Sequence, residues 1–157
     1  QESVAYALKT GEPGDMMIGT SMTEADVSAL MLWPHTNICT DGSLLDRHPR
    51  GAGSFPKVLG RYVRDLGRLS LEQAIHKMTG LPAEHMGLTQ RGKVAEGYIA
   101  DLVLFDPATI TDRATTQAPH RLSEGVSDVW VAGRRVLQSG INNDAFPGRV
   151  LRRRSAD

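Results

Sequence analysis

Cysteine is almost absent. Cys39 is the only one in 157 residues, so no internal disulfide can form. This usage fits a reducing compartment, and the cytoplasm is the expected location. An excess of either charge is missing too. Eighteen Lys and Arg balance eighteen Asp and Glu, which gives no electrostatic reason to expect nucleic acid as a partner. The one basic run, Arg149 with Arg152, Arg153 and Arg154, reads as a solvated tail. No apolar run reaches the roughly 18 residues of a membrane span, and no leader pattern opens the sequence. No membrane partner is therefore expected. The chain opens at Gln1 and runs at once into an apolar–polar pattern, as expected of a piece of a longer protein. Metal-site spacing is also lacking. His35, His48, His76, His85 and His120 form neither a His-x-His nor a His-Glu-x-x-His pair.

What is present is an alternation of short elements. Residues 2–9 read as the end of a helix, stopped by Gly11-Glu12-Pro13-Gly14. Met16-Met17-Ile18-Gly19 suits a buried strand. Thr23 reads as an N-cap with Asp26 at the capping-box spacing, which predicts a helix over 24–32 ended by Pro34. Asn37-Ile38-Cys39-Thr40 is a second apolar strand, on which Cys39 is expected to be a small buried thiol. Strand, helix and strand together make a parallel crossover unit. A loop of functional length is expected over 42–56. Helices follow over 56–66 and 71–79, the second with Ser70 as cap and Gln73 completing a capping box. A helical turn is expected near 82–87, after Pro82. Beyond residue 90 the pattern becomes β-like. Ala100–Asp106 reads as a buried strand, and Val129–Leu137 as a hairpin turning near Ala132-Gly133.

Two places could carry chemistry. Asp41 lies at the C-terminal end of a buried strand that follows a helix, the end at which parallel barrels build active sites. A carboxylate there can bind a metal or move a proton. A simple Asp41-Gly42 turn is the plainer alternative. In His48-Pro49-Arg50-Gly51, Arg50 offers a planar fork matched to a carboxylate, and Gly51 and Gly53 permit close approach. An exposed surface loop is the plainer alternative there.

The stretches P-H-T-N-I-C-T-D-G, R-H-P-R-G, V-L-G-R-Y-V-R and S-L-E-Q-A-I-H-K-M-T-G-L-P-A resemble the C-terminal third of N-acyl-D-amino-acid deacylases (D-aminoacylases) of the amidohydrolase superfamily. The later R-G-K-V-A-E-G-Y-I-A-D-L-V-L-F-D-P-A-T and V-S-D-V-W-V-A-G-R-R-V are similar to the superfamily's closing β segment, which dihydroorotases and hydantoinases share. The resemblance spans roughly residues 15–153.

The resemblance implies an α/β fold. Residues 1–90 would be the end of a (β/α)8 barrel, with 37–40 as its eighth strand, and 91–157 would supply strands of a small β-sandwich and the tail. It implies zinc-dependent hydrolysis of an N-acyl-D-amino acid, with one or two Zn²⁺ ions in the complete enzyme. Asp41 would be the general base and then acid, and also a metal ligand. Arg50, with His48, would hold the substrate carboxylate, and Met22 would line the side-chain or acyl pocket. The other metal ligands would lie on earlier strands, so this segment alone is expected to be inactive. Two rivals remain: another amidohydrolase, such as a hydantoinase or dihydroorotase relative, and a non-catalytic α/β module. The His-Pro-Arg loop favours the deacylase over the first. A His-x-His pair upstream of Gln1 would favour an enzyme over the second.

Overall fold

The computed structural model describes residues 21–42 and 47–151. The elements expected at 2–9 and 15–19, and the basic residues Arg152, Arg153 and Arg154, lie outside these. Helices come first and an antiparallel sheet second, so the architecture is mixed helix and sheet.

Helix α1 (Glu24–Leu32) starts where the capping pattern predicts. Thr23 Oγ1 accepts from the Asp26 N–H at 3.2 Å, and Asp26 Oδ2 accepts from the Thr23 N–H at 2.9 Å. The Thr23 hydroxyl also donates to Asp26 Oδ2 at 2.7 Å, and this bond, with that from the Thr23 N–H, holds the Asp26 carboxyl below its ordinary range by favouring the charged form. Residues 37–40, expected as a strand, pair with no neighbour among the described residues. A strand exists only against a partner, and the expected one, 15–19, is not among them. The Ile38 N–H instead donates to the Lys77 carbonyl at 3.0 Å, and Ile38 packs on the core. Cys39, expected to be buried, is exposed: Ile38 takes the core side, and no described element covers its neighbour.

The expected 42–56 loop is shorter than predicted. Helix α2 (Arg50–Lys57) begins directly after Pro49, and Ser54 Oγ donates back to the Arg50 carbonyl at 2.8 Å. Pro56 lies inside it and lacks the N–H that would bond the Ala52 carbonyl four residues back. Ser123 Oγ supplies that bond at 3.1 Å, from far along the chain. Beyond Pro56 the helix continues in π form over Val58–Asp65, where an α-helix was expected. The Leu66 N–H reaches the Arg61 carbonyl, five residues back, at 2.9 Å, and Gly67 (φ 57°) turns the chain away. Helices α3 (Leu71–Met78) and α4 (Gly80–His85) follow, α3 with the predicted Ser70–Gln73 capping box.

Strands β1 (Leu102–Phe105), β2 (Val126–Val131), β3 (Arg134–Gln138) and β4 (Ile141–Asn142) form one antiparallel sheet in chain order. The β2–β3 turn falls at Ala132 (φ 50°) and Gly133 (φ 79°), as the sequence predicts; two positive φ values suit the twist of a two-residue hairpin.

The core joins both parts. Met31, Val58, Leu59, Tyr62, Leu69, Ala74 and Ile110 are its buried residues, with Phe105 and Val126 packed against them from the sheet. Ile110 is 1% exposed. Its carbonyl accepts from Arg64 Nη1 at 2.6 Å, and a Cβ on Gly60 would stand 2.7 Å from that oxygen. The π-helix thus needs glycine there. Tyr62 Oη donates to Glu24 Oε2 at 3.2 Å, tying the π-helix to α1, and burial pushes the Tyr62 phenol up.

Strand β1, expected to be buried, is instead an apolar edge strand with Val103 57% and Leu104 54% exposed, because among the described residues only Phe105 of it packs on the core. Such an edge is a template for pairing. The 157-residue chain by itself is expected to self-associate. Light scattering coupled to size-exclusion chromatography checks this, and a uniform monomer at micromolar concentration would contradict it.

Candidate active site

The site is built on a contact between two glycine backbones. A Cβ on Gly42 would stand 2.3 Å from the Gly51 Cα, so only glycine permits this approach. The sequence flagged Gly51 as allowing a ligand or backbone close; the backbone of Gly42 is what comes. The contact sets Asp41 beside Arg50. Arg50 Nη1 stands 3.1 Å from Asp41 Oδ2, across nine positions of sequence.

Local structure fixes each partner. Asp41 has φ 47°, a left-handed conformation that Asp tolerates better than most residues. Behind it the Gly42 N–H donates to Thr40 Oγ1 at 3.3 Å. Arg50 opens α2, and its backbone N–H donates to His48 Nδ1 at 3.1 Å. That bond makes Nδ1 an acceptor and places the ring proton of a neutral His48 on Nε2. The three residues singled out by chemistry, Asp41, His48 and Arg50, therefore share one corner. Met22 lies just before the α1 cap, 50% exposed.

The other histidines are structural or exposed. His85 Nδ1 stands 3.0 Å from Asn37 Nδ2, and the Trp33 and His35 rings meet edge to face at 5.3 Å. Among the described residues no three of His, Cys, Asp and Glu stand close enough to hold a metal ion. A catalytic zinc needs about three protein ligands. The described residues do not by themselves make up a zinc site.

Sequence reasoning missed Lys77. Its ammonium is buried and donates to the carbonyls of Trp33 at 2.5 Å, Thr36 at 3.3 Å and Pro34 at 3.5 Å. Burial pulls its pKa below the ordinary lysine range. Its place on the α3 face gave a faint signal: Ala74 and Lys77 are three apart, and both point inward.

The model of the amidohydrolase family matches residues 34–137, which include Asp41, His48, Arg50, Lys77 and the sheet to Leu137. The chain belongs to the amidohydrolase family. N-acyl-D-aspartate deacylase of Alcaligenes xylosoxydans xylosoxydans is 49% identical over 132 residues, covering 83% of this chain and 26% of that enzyme. A solved D-aminoacylase with a binuclear metal centre is 45% identical with a TM-score of 0.75, covering 79% of this chain and 27% of the other. N-acyl-D-glutamate deacylase of Bordetella bronchiseptica, complexed with zinc and a phosphonate mimic of the tetrahedral intermediate, is 43% identical with a TM-score of 0.70, over 73% and 25%. The chain spans about a quarter of the length of these relatives. No helix among the described residues is long and apolar enough to cross a membrane.

A methyl group at Gly42 must push the two backbones apart and open the Asp41–Arg50 distance. In the full-length enzyme, Gly42→Ala is expected to lower kcat/KM by about 100-fold, the usual scale of a misplacement near 1 Å. Steady-state kinetics check this. Activity within threefold of the unsubstituted enzyme would mean that the contact does not set the geometry.

Proposed function

We propose that this chain is the C-terminal part of a zinc-dependent hydrolase that removes the acyl group from N-acyl-D-amino acids. In that reading residues 1–90 close a (β/α)8 barrel, with 37–40 as the last barrel strand. Residues 91–157 add strands of a β-sandwich and the tail. The single observation that carries the reading is the Asp41–Arg50 pair at 3.1 Å within the family-matching region.

The pair suits an α-amino acid derivative for a geometric reason. In an N-acyl amino acid the carboxylate and the amide nitrogen share one carbon. Arg50 holds the carboxylate through the paired N–H bonds of its planar fork. The leaving nitrogen is then only two bonds from the anchored carboxyl carbon, within reach of the neighbouring Asp41. Asp41 takes the proton of the attacking water and returns it to that nitrogen as the amide bond breaks. His48, bonded to the Arg50 backbone, fixes the start of α2 and so the stem of Arg50. Met22 faces the acyl or side-chain pocket of the complete enzyme. Zinc, when bound, polarises the scissile carbonyl and makes water acidic enough to act near neutral pH. Its remaining ligands belong to other parts of the enzyme, and Asp41 is this segment's contribution. The D-configuration and the zinc are taken from the relatives, which include deacylases of N-acyl-D-aspartate and of N-acyl-D-glutamate, the latter complexed with zinc. A small-molecule substrate and a cytoplasmic setting complete the reading.

Asp41→Asn keeps the side chain's shape and loses the proton acceptor. In the full-length enzyme it is expected to lower kcat by about 10²–10⁴-fold with KM little changed. Near-normal turnover on N-acyl-D-amino acids would sink the assignment.

Arg50→Ala is expected to raise KM for N-acyl-D-amino acids but much less for matching N-acyl amines, which carry no carboxylate. The difference should correspond to about 1.5–3 kcal/mol, the worth of a hydrogen bond to a charged group. Equal losses on both substrate types would show that Arg50 does not read the carboxylate.

A further inference from the structure

Lys77 sits in the last turn of α3, 6% exposed, and no carboxylate pairs with it among the described residues. A buried ammonium without a counter-ion lowers stability relative to an apolar side chain of the same shape. What the lysine gains here is geometry. Three carbonyl oxygens, of Trp33, Pro34 and Thr36, converge on one nitrogen. Trp33 is the C-cap of α1, whose last turn holds no basic residue. Lys77 thus supplies from another helix the positive charge that the C-terminus of α1 lacks.

The same residue acts a second time through its backbone. Its carbonyl accepts the Ile38 N–H at 3.0 Å. One residue therefore holds the segment 33–38 at four points, three by its side chain and one by its carbonyl. These bonds tie the lead-in to residues 37–40 to α3, from the side on which Ile38 packs on the core. Three residues after Ile38 the chain reaches Asp41, in a left-handed conformation.

We propose that Lys77 is a positioning residue for Asp41, setting by its four bonds to residues 33–38 where the carboxylate stands against the substrate. The proposal rests on the reading of Asp41 as the acid–base group. Lys77 touches no substrate and transfers no proton. Removing its donors lets the segment drift, and Asp41 moves with it. The effect should fall on the proton-transfer step and leave the Arg50 contact with the substrate carboxylate in place, because Arg50 is held by α2.

The test is a double-mutant cycle in the full-length enzyme. Lys77→Met keeps the stem and loses the donors. It is expected to lower kcat by about 10- to 100-fold, with KM within about twofold, on the usual scale of small misplacements. Lys77→Arg keeps the cation and should lose less. In an Asp41→Asn background Lys77→Met should lower kcat no further, because the group it positions is already disabled. Wild-type kcat in Lys77→Met would overturn the proposal. So would a full additional loss in the Asp41→Asn background, which marks a general structural role. Should Lys77→Met fail to fold, Lys77→Gln, which loses the charge and the reach to the three carbonyls, is carried through the same cycle with the same criteria. If Asp41→Asn alone turns over normally, the acid–base reading is what has failed, and that arm reports it independently of Lys77.

Discussion

The carbonyl and side chain of Ile110 occupy the joint between helices and sheet, and the neighbouring elements take their places from that residue. Its side chain fills the helical core, while its carbonyl accepts from Arg64 and lies against the bare backbone of Gly60. On its other side stands Gly125 (φ 90°), whose missing Cβ would sit 2.4 Å from the Ile110 Cα. Glycine on both flanks lets three backbone segments meet where side chains could not. The π-helix is seated by this contact, and α2, which leads into it, carries Arg50. The position of the candidate substrate-binding arginine is therefore referred back to a buried isoleucine sixty positions later.

Much of the local structure was legible because its causes are local. The capping boxes at Thr23 and Ser70 and the hairpin turn at Ala132-Gly133 depend on residues within a few positions of each other, and each appears as predicted. What could not be read depends on distant partners. Nothing near Pro56 says that Ser123 will bond the Ala52 carbonyl, so a helix containing proline read as a loop. Nothing near residues 37–40 says which neighbour will pair with them. A buried strand pattern predicts a buried Cys39 only if both faces are covered. The π form of 58–65 follows from a shift in hydrogen-bond register that amphipathic spacing does not encode.

The candidate site divides in the same way. Asp41, His48 and Arg50 were visible as residue types in a recognisable pattern, and the structure brings them to one corner. The roles proposed for them rest on that corner's geometry and on the likeness to the relatives. Lys77 left only a faint trace in the spacing, because a lysine on a helix ordinarily lies on the solvated face. The Asp41–Arg50 pair itself is exposed, its side chains 78% and 42% open, and such a pair contributes about 0–1 kcal/mol to stability. Its importance is one of distance, and the glycine contact beneath it sets that distance.

The Ser123–Ala52 hydrogen bond bears on how this chain can be rearranged. Ser123 immediately precedes the sheet's second strand by a few residues, and the carbonyl it serves lies in the first turn of the helix that presents Arg50. A chimera that joined these helices to the sheet of a relative without a hydroxyl at that position would leave the carbonyl beneath Pro56 without its donor, two residues from the arginine. Helices and sheet are thus coupled through this bond, and an exchange of segments keeps it only when both move together or a hydroxyl is retained at that position.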